Sequence, residues 1–247
     1  MMMEQILTGK VALVSGGGTG MGKAIVTALV NEGVKVVFCG RRLEPLEETL
    51  LKVQEIKGEA AFLQADISNE SDVERVIKFG LEKYGTLDFL INNAGVSGRG
   101  QIHEHDSKTW DSTFAVNLKG PFLLSRAILP ILREKNSGAI INIGSEMGIG
   151  HFKGGGAYSL SKHALLDMAL MMAVENQSFG IRVNTICPGW TYTEMTSGIR
   201  QLNPDKTLQP GDIADMVIWL LKLRPGIKIN DPIYVTPMQD PWEKDRK

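Results

Sequence analysis

The stretch Lys10-Val-Ala-Leu-Val-Ser15-Gly16-Gly17-Gly18-Thr19-Gly20-Met21-Gly22 decides how the rest of the chain reads. Its first half is a short apolar run, which predicts a strand buried on both faces. From Gly20 to Glu32 apolar residues recur at helical spacing (Ile25, Ala28, Leu29), and Gly33 ends that helix. The glycines between strand and helix let the backbone turn tightly and approach a pyrophosphate, and the helix aims its first amides at the phosphate charge. The spacing Gly16-x-x-x-Gly20-x-Gly22 differs from the common dinucleotide G-x-G-x-x-G. A plain glycine-rich turn is the alternative, and the flanking strand and helix count against it.

Outward from this turn the same alternation continues. Strands are predicted at Lys35–Cys39, Ala60–Leu63, Leu87–Ile91, Ala139–Ile143, Arg182–Cys187 and Pro232–Val235. Helices are predicted at Leu43–Ile56, Val73–Tyr84, Lys108–Glu134, Ala157–Phe179 and Ile213–Leu221. Pro121 could kink the long helix, and Pro130 could mark its final turn. Alternating strands and helices imply a parallel sheet covered on both faces. In such a sheet ligands bind beyond the carboxyl ends of the strands, so the chemistry is expected just after each strand.

The 247 residues suit one α/β domain, with no composition shift that would divide them. Hydrophobic residues make up 43% and charged residues 22%, as in a soluble globular protein. A formal net charge of −1 gives no long-range pull toward nucleic acid or anionic membranes. The two cysteines, Cys39 and Cys187, lie in apolar strand-like runs and form no secreted-type framework. Met1 to Lys10 lacks a signal-peptide pattern, and no apolar run approaches a membrane span. The expected compartment is the cytoplasm.

The second strand ends in Cys39-Gly40-Arg41-Arg42. An NAD site usually has a carboxylate here for the ribose 2′-OH, whereas arginine suits a 2′-phosphate. Two arginines opening a helix are unfavourable unless an anion is present. The cofactor indicated is therefore NADP(H).

Tyr158-Ser-Leu-Ser-Lys162 opens a helix and puts a phenol and an amine on one face. A phenol has an ordinary pKa of about 10, and a nearby ammonium lowers it. Tyr158 is then able to exchange a proton with a ketone or an alcohol. Ser145 follows the strand Ala139–Ile143, where its hydroxyl suits a substrate carbonyl oxygen that develops charge. Asn117 lies inside the long helix, where Asn is unfavourable; a local cap or bend is an equal reading.

On these residues the chain resembles the short-chain dehydrogenase/reductase family, from about Lys10 to Thr193 and more loosely to Val235. The resemblance implies a single Rossmann-type α/β domain, a doubly wound parallel sheet with helices on both faces. It implies that Gly16, Gly18, Thr19, Gly20, Met21 and Gly22 form the cofactor turn. Asp66, with Ile67 beside it, contacts adenine, and Asn93, Ala94 and Gly95 floor the cofactor cleft. Pro188, Gly189, Thr191 and Thr193 hold the nicotinamide carboxamide. Asn117, Ser145, Tyr158 and Lys162 match the catalytic tetrad. In that tetrad Ser positions the carbonyl, Tyr transfers the proton, Lys binds ribose and tunes Tyr, and Asn holds a water.

Three departures stand out. Ser15 replaces a common Thr, a mild change. Thr19 stands where many NADP(H) members have a basic residue, which leaves the 2′-phosphate to Arg41 and Arg42. The usual C-terminal Val-Asp-Gly-Gly ending is missing. Ile229 to Pro237 looks more like the branch containing NADP-dependent 3-hydroxy-acid dehydrogenases.

The remaining features carry less. His103 and His105 flank Glu104 without a third convergent ligand, so no metal is expected. His151, Glu146 and Phe152 lie on a loop that borders the substrate in relatives; a solvated loop is the alternative. Residues 190–210 correspond to a substrate lid. Met168, Met171 and Met172 suit core or subunit packing, which points to a homodimer or homotetramer. The expected function is NADP(H)-dependent reduction of a ketone or aldehyde, or oxidation of a secondary alcohol. A non-catalytic NADP(H)-binding regulator on the same fold is the second reading, and the intact tetrad argues against it.

Overall fold

The computed structural model describes residues 7–197 and 203–239. Among them, β1 (Val11–Ser15), β2 (Lys35–Gly40), β3 (Ala60–Gln64), β4 (Phe89–Asn92), β5 (Gly138–Ile143), β6 (Ile181–Pro188) and β7 (Ile233–Val235) form one sheet. Its order is β3-β2-β1-β4-β5-β6-β7, and all pairs are parallel. The helices are α1 (Gly20–Asn31), α2 (Leu43–Glu55), α3 (Glu70–Tyr84), α4 (Ser107–Phe114), α5 (Gly120–Lys135), α6 (Gly156–Asn176) and α7 (Pro210–Lys222). This is the doubly wound α/β fold that the alternation implied. Strand order reverses between β1 and β4, which opens a crevice at their carboxyl ends.

The alternation of side chains along β1 explains its unbroken apolar run. Ala12 and Val14 face one layer, with Ile25 and Leu29 of α1 and Ile213 and Val217 of α7. Val11 and Leu13 face the other, with Leu124 and Ile128 of α5 and Ala169 and Met172 of α6. Each large aliphatic side chain buried this way contributes about 1.5–3 kcal/mol.

Several element boundaries differ from the sequence expectation. Leu87 and Asp88 precede β4 instead of starting it. The buried Asp88 carboxylate accepts a hydrogen bond from Val11 N–H at 2.9 Å and pairs with Lys10 and Lys135. Helix α3 starts at Glu70, because the Asn69 side chain caps it by accepting from Ser71 N–H. Helix α7 begins at Pro210, a favoured first-turn position that the apolar periodicity could not show.

The long helix is not uniform. After α4 the segment Ala115–Lys119 forms a π turn, in which Gly120 N–H donates to Ala115 O, and α5 follows. Pro121 sits at the start of α5 and Pro130 inside it. Ser107–Lys135 contains an 18-residue stretch of mean hydropathy 1.2, long and apolar enough to cross a bilayer by length and composition, contrary to the sequence reading. Its apolarity is accounted for by packing, since Leu123, Leu124, Ile128 and Leu132 are buried against the sheet.

Candidate active site

The turn after β1 is pinned from three directions. Gly16 and Gly17 amides donate to Cys39 O of β2, at 2.8 and 3.2 Å. Asn93 Nδ2 donates to the carbonyls of Ser15 and Gly16, at 3.0 and 3.1 Å. Ser15 Oγ accepts from the amides of Asn93 and Ala94, so serine suffices where threonine is common. Gly16 has φ +70°, a left-handed conformation that favours glycine. A Cβ on Gly22 would lie 1.9 Å from Gly16 O, so only glycine lets α1 seat against the turn. Thr19 precedes α1 with extended backbone and no side-chain cap, and the first turn holds no acidic residue. The amides there are left to an anion.

A cleft of about 710 Å³ runs from this turn across the sheet edge. Its walls include Gly16, Gly18, Thr19, Gly20, Met21, Gly22, Arg41, Arg42, Asp66, Ile67, Asn93, Ala94, Gly95, Tyr158, Lys162 and Thr193. All of these are residues that the sequence assigns to a dinucleotide. Pro188, Gly189 and Thr191 instead line an adjoining recess of about 140 Å³, together with Ser145, Tyr158, Arg99, Glu146 and Trp190. The cleft suits a dinucleotide in size and in chemistry, with helix amides at one end and polar groups beyond.

The two arginines differ. Arg42 makes a bidentate pair with Glu194, both contacts 2.8 Å, across 152 residues of sequence. The guanidinium expected at a 2′-phosphate is thus engaged here by an internal carboxylate. Among the described residues the Arg41 guanidinium has no ion pair, and its main-chain carbonyl accepts from Gln64. Glu194 was not anticipated, because nothing local in Thr193-Glu194-Met195 shows what it faces.

The start of α6 is fixed by the loop after β4. Tyr158 N–H donates to Gly98 O at 3.0 Å, Ala157 N–H to His105 Nε2 at 3.2 Å, and Gly100 N–H to Gly154 O at 2.9 Å. His105 is therefore an acceptor at the helix start. Ser145 is buried, and its Oγ accepts from Met147 N–H at 3.2 Å. It lines the same recess as the Tyr158 phenol.

Lys162 is buried at the cleft floor and donates to Ile143 O at 2.7 Å. Burial pushes its pKa down to about 8. Its Nζ lies 5.9 Å from the Tyr158 ring centroid. Burial pushes the Tyr158 phenol up, opposed by the neighbouring Ser145 hydroxyl and by the Arg99 charge. Arg99, whose guanidinium is 5.9 Å from the ring centroid, is a second cation beside the phenol, at the same distance as Lys162.

Asn117 sits in the π turn. Its Oδ1 accepts from Val96 N–H at 2.8 Å, and its Nδ2 donates to Val96 O and Ser161 Oγ. It ties the floor of the cleft to α6, which gives the irregular helix a reason; such turns are common at functional sites. Glu146 does line the recess, with Tyr234 Oη donating to its Oε2 at 3.4 Å. His151 and Phe152 do not. Both are exposed, and the His151 ring lies 5.2 Å from that of His163. Sequence reasoning missed Arg99 and Trp190, which carry no motif.

With this geometry established, comparison with known proteins gives consistent results. The family model for short chain dehydrogenase matches residues 10–204. An uncharacterized oxidoreductase of Thermotoga maritima is 38% identical over 203 residues, covering 81% of this chain and 80% of that protein. The fold is similar to levodione reductase, with TM-score 0.82, 31% identity and coverage of 87% and 91% of the two chains. It is also similar to a metagenomic short-chain oxidoreductase solved in complex with NADP, with TM-score 0.81, 32% identity and coverage of 95% and 99%.

Proposed function

The chain belongs to the short-chain dehydrogenase family, and from that premise we propose that it is an NADP(H)-dependent oxidoreductase that interconverts a carbonyl and a secondary alcohol, with Tyr158 as the acid/base. The observation that carries this reading is that Tyr158 lines both the dinucleotide-sized cleft and the smaller recess, and that Ser145 lines the recess with it. That boundary is where a substrate carbonyl would meet a nicotinamide.

When bound, NADPH supplies the hydride for the carbonyl carbon. Residues Gly16 to Gly22 and the first amides of α1 would hold its pyrophosphate, and Arg41 the 2′-phosphate. A related oxidoreductase solved in complex with NADP supports that preference. Ser145 orients the carbonyl oxygen, and Tyr158 gives it a proton. The raised phenol pKa favours the protonated form, which suits the reductive direction. Lys162, which lines the cleft, would hydrogen-bond the nicotinamide ribose, while Asn117 holds Val96 at the cleft floor. On α6, Leu160, Leu170, Met171 and Val174 are exposed within one face, a surface suited to a second copy in a homodimer or homotetramer.

The test is oxidation of NADPH, followed by absorbance, over a panel of small ketones and aldehydes. Tyr158→Phe should lower kcat/KM by about 100- to 10,000-fold while dinucleotide affinity holds. Turnover that survives this substitution refutes the mechanism.

A further inference from the structure

Arg99 stands apart from the other cations near the cleft. It lies on the loop between β4 and α4, lines the recess, and is exposed. Its guanidinium is 4.8 Å from the Trp190 ring centroid and 5.9 Å from that of Tyr158. Two aromatic faces therefore hold it, which fixes its position without consuming its five donors. Among the described residues it forms no ion pair, unlike Arg42, Arg75 and Arg126. Glu146, the acid that lines the recess, accepts from Tyr234 Oη at 3.4 Å; burial raises its pKa, opposed by that hydrogen bond and by the Arg99 charge, and no ion pair joins it to Arg99. The recess itself is small: about 140 Å³ equals the liquid volume of about five waters.

We propose that the substrate is a small oxo acid, or the matching hydroxy acid, whose carboxylate is held by the Arg99 guanidinium while its carbonyl oxygen meets Ser145 and Tyr158. The proposal rests on the function given above and adds the substrate class. A planar guanidinium matches a carboxylate bidentately. Held there, a short acid would have its carbonyl carbon turned to the cleft. In reduction that carbon gains the hydride of NADPH, its oxygen gains the Tyr158 proton, and the carboxylate leaves unchanged with NADP as the other product. The aromatic stack also ties recognition to Trp190, at the root of the segment that follows β6.

Two measurements on the NADP-loaded or NADPH-loaded protein test this. In the first, short 3-oxo and 4-oxo acids are compared with their methyl esters. Wild type should favour the acids, and Arg99→Met should lose about 100-fold on the acids, at least tenfold more than on the esters. Arg99→Lys, which keeps the charge and loses the fork, should fall between them. Equal losses on acids and esters, or a wild type that prefers the esters, overturn the assignment.

In the second, butyrate and butyramide are titrated into the NADP-loaded protein by calorimetry. Butyrate should bind at least about tenfold more tightly in wild type, with the difference gone in Arg99→Met. Indistinguishable binding of the two probes to wild type overturns the assignment even if no turnover has been found. Reduction of neutral ketones that depends on Tyr158, with no preference for acids, would remove the substrate class alone and leave the reductase reading in place.

Discussion

At the β1–β4 end of the cleft the wall is mostly main chain: glycines, amides of α1, and carbonyls of Ser15, Gly16 and Cys39 that accept from turn amides and from Asn93 Nδ2. At the β5–β6 end it is side chain, with Ser145, Tyr158, Arg99, Glu146 and Trp190 arriving from four separate segments. On the proposed function the first end would hold a part of the ligand common to many enzymes, and main-chain groups suffice for that. The second must discriminate among substrates, and only side chains differ enough to do so.

The contrast predicts that a single methyl is worst tolerated at the main-chain end. Gly22→Ala puts a Cβ 1.9 Å from Gly16 O and 2.5 Å from Asn93 Nδ2. It should cost about 3 kcal/mol of stability or more, and lower dinucleotide affinity at least about 100-fold. Thermal unfolding and equilibrium titration measure both. A variant that binds normally would show that the turn has slack, and would break the comparison.

A smaller effect sharpens it at the junction of the two ends, where Lys162 is buried. Its folded pKa of about 8 lies below its ordinary value of 10.5. Below pH 8 folded and unfolded chains both hold this proton; between about 8 and 10.5 only the unfolded chain does. Stability of the wild type relative to Lys162→Met should therefore rise with pH through that window, by on the order of 2 kcal/mol by pH 10. Denaturant unfolding at several pH values checks this. A constant difference would mean that the amine titrates normally.

The smallest effects concern the two arginines. Arg41→Ala should weaken NADPH by about tenfold more than NADH, a difference of one good charged hydrogen bond. Arg42→Ala should change either affinity by less than about threefold, because its exposed pair with Glu194 is worth little. Reversed magnitudes would mean that Glu194 yields Arg42 to the dinucleotide.

The same division decided what was legible in the sequence. Glycines at Gly16, Gly20 and Gly22 and the apolar run of β1 report on main-chain geometry, so the turn, the sheet and its crevice could be read directly. Tyr158 and Lys162 were legible because four residues of helix separate them. Arg99 and Glu194 were not, since their meaning lies in partners 91 and 152 positions away, Trp190 and Arg42. The break in the long helix was half visible: Asn117 was noted as unfavourable there, but the periodicity on either side could not show an i to i+5 turn.

That widened turn has a consequence for the phase of the helix. One added residue in a helix advances every later side chain by about 100° around the axis. The sheet therefore sees Leu124 and Ile128 at an angle that the pattern of α4 would not deliver. Deleting a single residue between Ala115 and Lys119 would rotate those two out of contact while leaving α4 in place. The irregularity acts as an angular offset between a helix half that serves the mouth of the site and a half that serves the interior.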